Sequence, residues 1–312
     1  MKVSILINTY NYAKYLPQAI ESALGQTYPV HEIIVVDDGS TDETDVSIRP
    51  KYATHQAIKW IRKENAGQLS AFQAGIDAST GELFFFLDAD DYYEFDYVSL
   101  MVGYYKEHTR ADFVFSEPAK FSGTATQTKN RNDPKSYDYG ISLIRELTTQ
   151  SFIGRQTSTL SLKKKLLDQL FPLPDYMLKT WEICADEYLI RGASLAGANK
   201  HYYGIQRVNY RIHGNNLFQG SKSTDIYHKY ERERNICSLI NHLKEKFHIQ
   251  HNHLELAALE YKTIPTPSPS DTALYERIIK FHTGFIKKNR KDFLQRIIRS
   301  FKKSISKSAD GK

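Results

Sequence analysis

Through the first half of the chain, short apolar runs alternate with stretches whose apolar positions recur at helical spacing. This is the pattern of β-α-β units feeding a mostly parallel sheet. The runs predict five strands, over residues 2–7, 32–36, 58–62, 82–87 and 112–115. Between the first two, Leu16, Ile20, Ala23 and Leu24 share one helical face, and Pro17 suits a first turn. Leu69, Phe72 and Ile76 predict a second helix, and Ser40-Thr41-Asp42-Glu43 has the form of a capping box opening another. Residues 118–140 are polar and glycine-containing and read as a long loop or irregular strand region. Residues 141–200 turn helical, interrupted by Phe171-Pro172-Leu173-Pro174, and residues 209–217 have the look of a loop. From about residue 222 the pattern is helical, broken by the proline-rich stretch 263–270.

A chain of 312 residues with 41% hydrophobic content can bury a sizeable core. Its longest apolar runs, 33–36 and 83–87, fall far short of the roughly 20 residues of a spanning helix. The first predicted strand begins too early to leave room for a signal peptide, so a cytoplasmic protein is expected. Two cysteines, Cys184 and Cys237, are too few for a disulfide framework or a thiolate metal site. The net charge of +6 is unevenly placed: residues 287–307 hold nine Lys or Arg against Asp292 alone, which leaves the remainder at −2. A nucleic-acid-binding face is therefore not expected on the main domain. In that basic tail Phe293, Ile297, Phe301 and Ile305 recur every fourth residue. The pattern fits either a helix lying on an anionic membrane or one packing its apolar stripe on the domain.

Candidate chemistry collects just beyond two strands. Asp88-Ala89-Asp90-Asp91 follows a buried apolar run, and carboxylates so close repel one another unless a cation or hydrogen-bond donors compensate them. Either a divalent metal site or a solvated acidic turn fits. Asp37-Asp38-Gly39-Ser40 ends the second strand, where a carboxylate can accept from a base N–H or simply favour a helix dipole. In open α/β sheets, acids after strands two and four face one crevice.

Taken together, Ser4-Ile5-Leu6-Ile7-Asn8-Thr9-Tyr10-Asn11, Ser22-Ala23-Leu24-Gly25-Gln26-Thr27-Tyr28, Val35-Val36-Asp37-Asp38-Gly39-Ser40, Asn65-Ala66-Gly67-Gln68 and Leu87-Asp88-Ala89-Asp90-Asp91 resemble the inverting family 2 glycosyltransferases. The resemblance implies an α/β fold of the GT-A type, a mostly parallel central sheet flanked by helices with a helical C-terminal extension. The domain would span 1–220, with donor binding in about 1–117 and acceptor binding in about 118–220, and the extension 221–312. The activity implied is metal-dependent hexosyl or N-acetylhexosaminyl transfer, from a nucleotide-sugar such as a UDP-sugar to a glycan or lipid-linked acceptor.

By the same resemblance, Thr9 and Asp37 contact the base or ribose, and Gln68 contacts the nucleotide. Asp88 and Asp90 hold Mn²⁺ or Mg²⁺ on the diphosphate, Asp90 more directly. The loop Tyr210-Arg211-Ile212-His213-Gly214-Asn215-Asn216 offers His213 as a further ligand and Arg211 as a phosphate partner, and an imidazole among carboxylates favours Mn²⁺. Counting back from Leu195-Ala196-Gly197 places the general base at Asp186, with Glu187 as the alternative. Thr157-Ser158-Thr159 lies where family members line the acceptor side; Trp181 fits either that wall or the core. Two positions depart from the family pattern: Phe72-Gln73 stands where many members have Arg-Asn, and Ala185 replaces the first acid before the base. A non-catalytic sugar-nucleotide or glycan binder is the second reading. A sugar nucleotidyltransferase would need a Gly-rich loop in place of Asn8-Thr9-Tyr10-Asn11, and no Gly-x-Gly-x-x-Gly supports a dinucleotide enzyme.

Overall fold

A computed structural model describes residues 1–122, 125–127, 135–150, 152–181, 184–213, 226–249 and 256–284. The strands are β1 (Val3–Thr9), β2 (Glu32–Asp37), β3 (Ile58–Arg62), β4 (Leu83–Asp88), β5 (Tyr92–Tyr93), β6 (Phe113–Ser122), β7 (Ala125–Gln127), β8 (Ser136–Gly140), β9 (Leu160–Lys163) and β10 (Lys200–Arg211). Helices are α1 (Leu16–Leu24), α2 (Arg49–Tyr52), α3 (Gln68–Asp77), α4 (Tyr97–Glu107), α5 (Leu143–Thr149), α6 (Lys164–Leu170), α7 (Asp175–Thr180), α8 (Ala185–Leu195), α9 (Ile226–Lys246), α10 (Ala257–Tyr261) and α11 (Pro269–Gly284).

One sheet runs in the order β3-β2-β1-β4-β9-β6-β10-β5, with β7 paired to β6 and β8 to β10. The first four strands are parallel, whereas β9 is antiparallel to both its neighbours and β6 is parallel to β10. Both faces of the parallel part are buried, which is why its strands read as continuous apolar runs. Ile5, Ile7, Phe85 and Leu87 point into a core closed by α1 and α4, and Leu6, Phe84 and Phe86 into one closed by α3, α6, α8 and α9. A third, smaller core joins Ile144 of α5 to Tyr261 of α10 and Tyr275 of α11.

Several expectations change. The region expected as loop or irregular strand contains β7, β8 and the continuation of β6, and β10 runs through Arg211 into the expected loop. These strands alternate poorly because β10 is paired on both sides, so its ladder hydrogen bonds hold it without an apolar stripe. The four-residue β9 stands between Thr157-Ser158-Thr159 and the apolar helix α6, closing the sheet across β4 and β6.

No capping box forms. Ser40 Oγ accepts from the Asn11 amide (2.9 Å), and Glu43 accepts from Ser47 Oγ (2.7 Å). Instead Asn11, at φ 59°, accepts at Oδ1 from the amides of Thr41 (2.8 Å) and Asp42 (3.2 Å) in the loop, and Asp42 Oδ1 accepts from the amide of Thr44 (3.0 Å), where the chain turns helical. The loops after β1 and β2 are thereby tied to each other. The basic tail 287–307 and Gly214-Asn215-Asn216 lie outside the described residues.

Buried ion pairs fasten α8 to its neighbours. Arg191 pairs with Glu187 (2.8 Å) and with Glu146 of α5, and Arg232 of α9 reaches Glu187 at 3.4 Å. Removing the central cation strands two buried carboxylates, which in general costs about 3–5 kcal/mol. Arg191→Met is therefore expected to lower the unfolding free energy by about that amount, read from the urea midpoint at constant m.

Candidate active site

The carboxyl ends of β1, β2 and β4 meet in one crevice, because Thr9 pairs in register with Asp37 and Asn8 with Asp88. Thr9 and Asp37 are buried, yet Thr9 Oγ1 and Asn8 Oδ1 have no hydrogen-bond partner, and Asp37 Oδ2 has none beyond an ion pair with Arg62 Nε at 3.8 Å. Orphaned buried acceptors are costly and call for a ligand with matching donors. Asp37 Oδ1 accepts from the Ser40 amide at 2.8 Å, which fixes the carboxylate's orientation. Asp38 faces away from this crevice: it pairs with Lys63 and accepts from the Ala66 (3.1 Å) and Gly67 (2.8 Å) amides. It thus pins the loop that opens α3. Gly39 and Gly67 permit this approach with φ of 79° and 86°, and a Cβ on Gly39 would sit 2.8 Å from the Asn65 nitrogen.

Beyond β4 the chain turns tightly, the Asp91 amide donating to the Asp88 carbonyl (3.0 Å). Asp91 is almost wholly buried, accepting from Ser158 Oγ (2.6 Å) and from the Arg211 amide (2.9 Å). Its carboxyl is held well above the usual range, by burial first and then by Asp90 and Asp88. Asp88 is raised likewise, by burial and then by Asp90 and Asp186. His213 Nε2 lies 2.9 Å from Asp90 Oδ2, its ring stacked on Tyr15 with centroids 5.1 Å apart. Arg211 packs its guanidinium between Tyr15 (4.7 Å) and Phe121 (4.6 Å) and donates from Nε to the Asp90 carbonyl (2.8 Å). The hydroxyls of Tyr12 and Tyr210 are pushed up, by burial and then by these carboxylates. Asn8, Tyr12, Tyr15 and Tyr210 belong to the site although no motif reading singled them out; only the parity of Asn8 with its strand neighbours could have shown it.

Gln68 closes the crevice on its far side. Its Nε2 donates to Asp88 Oδ1 (2.8 Å), and its Oε1 accepts from the Ala185 amide at the start of α8 (3.1 Å). Both ends of this side chain are engaged within the protein. The next residue of α8, Asp186, faces the acidic cluster and is raised to about 6, by burial first and then by Glu187. Glu187 is buried and bound by Arg191 Nε (2.9 Å) and Nη2 (2.8 Å). Of the two acids considered for the base, one borders the crevice and the other closes an internal ion pair.

A family model described as glycosyl transferase family 2 matches residues 4–171, more than half of the chain. The chain belongs to glycosyl transferase family 2. An uncharacterised glycosyltransferase of Nostoc sp. is 34% identical over 230 residues, 72% of this chain and 68% of that protein. Chondroitin synthase of Escherichia coli is 37% identical over 114 residues, 36% of this chain and 17% of that enzyme. Among solved structures, Staphylococcus aureus TarS 1-349 in complex with UDP superposes with a TM-score of 0.55 at 17% identity, covering 98% of this chain and 81% of that one. The same protein in complex with UDP-GlcNAc gives 0.55 over 97% and 81%. The fold of this glycosyltransferase is of the GT-A type.

The residues expected from the family resemblance come from both halves of the chain: Thr9, Asp37, Gln68, Asp88 and Asp90 lie within the matched segment 4–171, and Asp186, Arg211 and His213 after it. At the departure from the family's Arg-Asn pair, Phe72 packs edge-on against Phe86 (4.8 Å), and Gln73 Oε1 accepts from the Leu173 amide (2.7 Å). Thr157, Ser158 and Thr159 are buried beneath the acidic turn, and Trp181 lies in the core. Among the described residues no group of three or more His, Cys, Asp or Glu side chains is arranged to hold an ion. The donor set at hand is the Asp90–His213 pair with Asp88 beside it. That suits an ion which takes one or two protein ligands and completes its shell with phosphate oxygens and water.

Replacing Gln68 by Glu removes the donor to Asp88 and sets a third acid against it. The variant is expected to lose about 1–3 kcal/mol of stability. Because the added repulsion requires ionised carboxyls, the loss grows as pH rises from 5 to 8 in paired urea titrations.

Proposed function

We propose that this family 2 glycosyltransferase moves a sugar from a UDP-sugar to a hydroxyl of a glycan or lipid-linked acceptor, with inversion and with the help of Mn²⁺ or Mg²⁺. The observation that carries the proposal is the convergence of Asp88, Asp90 and Asp186 on one crevice whose inner wall holds Thr9 Oγ1, Asn8 Oδ1 and Asp37 Oδ2, three buried atoms without a hydrogen bond. The binding of UDP and UDP-GlcNAc by TarS, a protein of the same fold, supports a uridine nucleotide.

Asp37 Oδ2 accepts from a base N–H and Thr9 Oγ1 binds beside it, which favours a base carrying such a donor, uracil among them. Asp90 and His213 would hold the cation, with Asp88 adjacent. Bound there, the cation supplies charge neutralisation for the diphosphate leaving group. Gln68 and Arg211 act as positioning residues, the first between Asp88 and α8, the second through its bonds to Asp90 and Asp91. Asp186 takes the proton of the acceptor hydroxyl as that oxygen attacks the anomeric carbon. Direct displacement inverts the centre and needs no enzyme nucleophile. We assign donor binding to about 1–117, acceptor binding to about 118–220, and membrane contact beside a lipid-linked acceptor to the tail 287–307.

UDP release from UDP-GlcNAc, with water in place of the acceptor, tests the reading. It is expected to require Mn²⁺ or Mg²⁺ and to fall by roughly 10²-fold or more in Asp90→Ala. Failure to bind or cleave UDP-glucose, UDP-galactose or UDP-GlcNAc would sink it. Asp186→Asn is expected to lower kcat by roughly 10²–10⁴-fold, whereas Glu187→Gln should act mainly on stability. The sign of the pH effect follows from Asp186: a carboxyl raised to about 6 is protonated, and useless as a base, below that pH. The wild-type kcat/KM should therefore rise through about pH 6 and level off, and this limb should vanish in Asp186→Asn.

A further inference from the structure

A cleft of about 410 Å³ opens on the same face of the sheet as Asp88, outside the crevice described above. Phe115 of β6, Tyr139 of β8 and Tyr202 of β10 form its walls, with Arg145 and Arg155 at its edges. Phe115 lies on the face shared with Phe84 and Phe86, and Asp88 continues that parity along β4. Only β9 separates β4 from β6, and Phe115 is level with Phe86 through Leu160, so the cleft begins two strand spacings, about 10 Å, across the sheet from a position two residues before Asp88.

The lining combines ring faces with hydrogen-bonding groups. Phe115 and Tyr139 are parallel to within 22° at 6.1 Å. Opposite them Glu117 Oε2 accepts from Tyr202 Oη (3.0 Å) and pairs with Arg155 (3.3 Å), half of whose side chain is exposed. Arg145 lies over Tyr139 (5.8 Å) and is held by Asp271 at 2.7 Å, while its Nε is buried without a hydrogen-bond partner. Phe115 is buried behind Tyr139, so the half-buried rings of Tyr139 and Tyr202 beside a carboxylate–guanidinium pair form the accessible wall, which suits a ligand with one C–H face and an equatorial rim of hydroxyls. A volume within the usual range for small-ligand clefts accommodates a sugar ring. Both cations are balanced by acids, so nothing in the lining selects an anion.

We propose that this cleft is a subsite for a neutral hexose or N-acetylhexosamine unit of the acceptor glycan, a short reach along the chain from the hydroxyl that reacts. The proposal rests on the transferase reading and names the substrate class on its acceptor side.

The test uses the full chain on an array of hexose and N-acetylhexosamine oligosaccharides, with UDP and Mn²⁺ present, beside UDP-GlcNAc hydrolysis without acceptor. Wild-type protein is expected to be retained on a subset of neutral glycans. Tyr139→Ala and Arg155→Ala should each weaken that retention by about tenfold or more and leave hydrolysis unchanged. Arg155 is half exposed, so its variant removes nothing from the core; circular dichroism checks both. Retention unaffected by either substitution, retention on no glycan, or retention on anionic glycans alone overturns the subsite. Glycan retention that depends on the cleft, without binding or cleavage of UDP-GlcNAc, would leave the subsite standing and remove the donor reading instead.

Discussion

Like-charge repulsion at the end of β4 is the constraint around which the rest of the structure is arranged. Asp88, Asp90 and Asp91 stand within one turn, and burial makes their ionised forms more expensive still. The chain meets this with donors from distant segments. Gln68 serves Asp88, while Ser158 and the Arg211 amide serve Asp91. Each donor comes from a different element, so the acidic turn fixes how α3, the segment before β9 and the end of β10 approach β4.

What the turn organises in front, α8 organises behind. Its first turn carries Ala185, Asp186 and Glu187, three neighbours with three duties: an amide for Gln68, a carboxyl facing the crevice, and an internal partner for Arg191. Separating these duties demands a helix held firmly in rotation. The pairs to Glu146 and Arg232 supply that hold from α5 and α9. Of these two helices α5 lies within the family-matched segment 4–171, whereas α9 lies after it and still belongs to the architecture of the site.

The N-terminal half was legible because its physics is local. Buried parallel strands write themselves as runs such as Phe84-Phe85-Phe86-Leu87, and acids at their ends mark the crevice. Legibility failed where partners are remote. Asn11 accepting from the loop amides of Thr41 and Asp42 leaves no spacing to read, and Ser40 with Glu43 imitates a capping box that the fold does not use. Strand β10 is held by neighbours on both sides, so its polar residues give no alternation. Asp186 and Glu187 are chemically alike in sequence, and only the position of Arg191 one turn on, with Glu146 across from it, separates them.

Gln68 joins the Asp88 carboxylate to the Ala185 amide, two groups that lie almost a hundred positions apart in the chain, one at the end of β4 and one at the start of α8. A single amide, rigid and of set length, therefore gauges the width between the end of β4 and the start of α8. Any drift of α8 against the sheet is felt at Asp88 through one side chain. Such a spacer leaves the outer surface of α8 open to substitution, because side chains there can change without resetting the distance between the helix and the acidic turn.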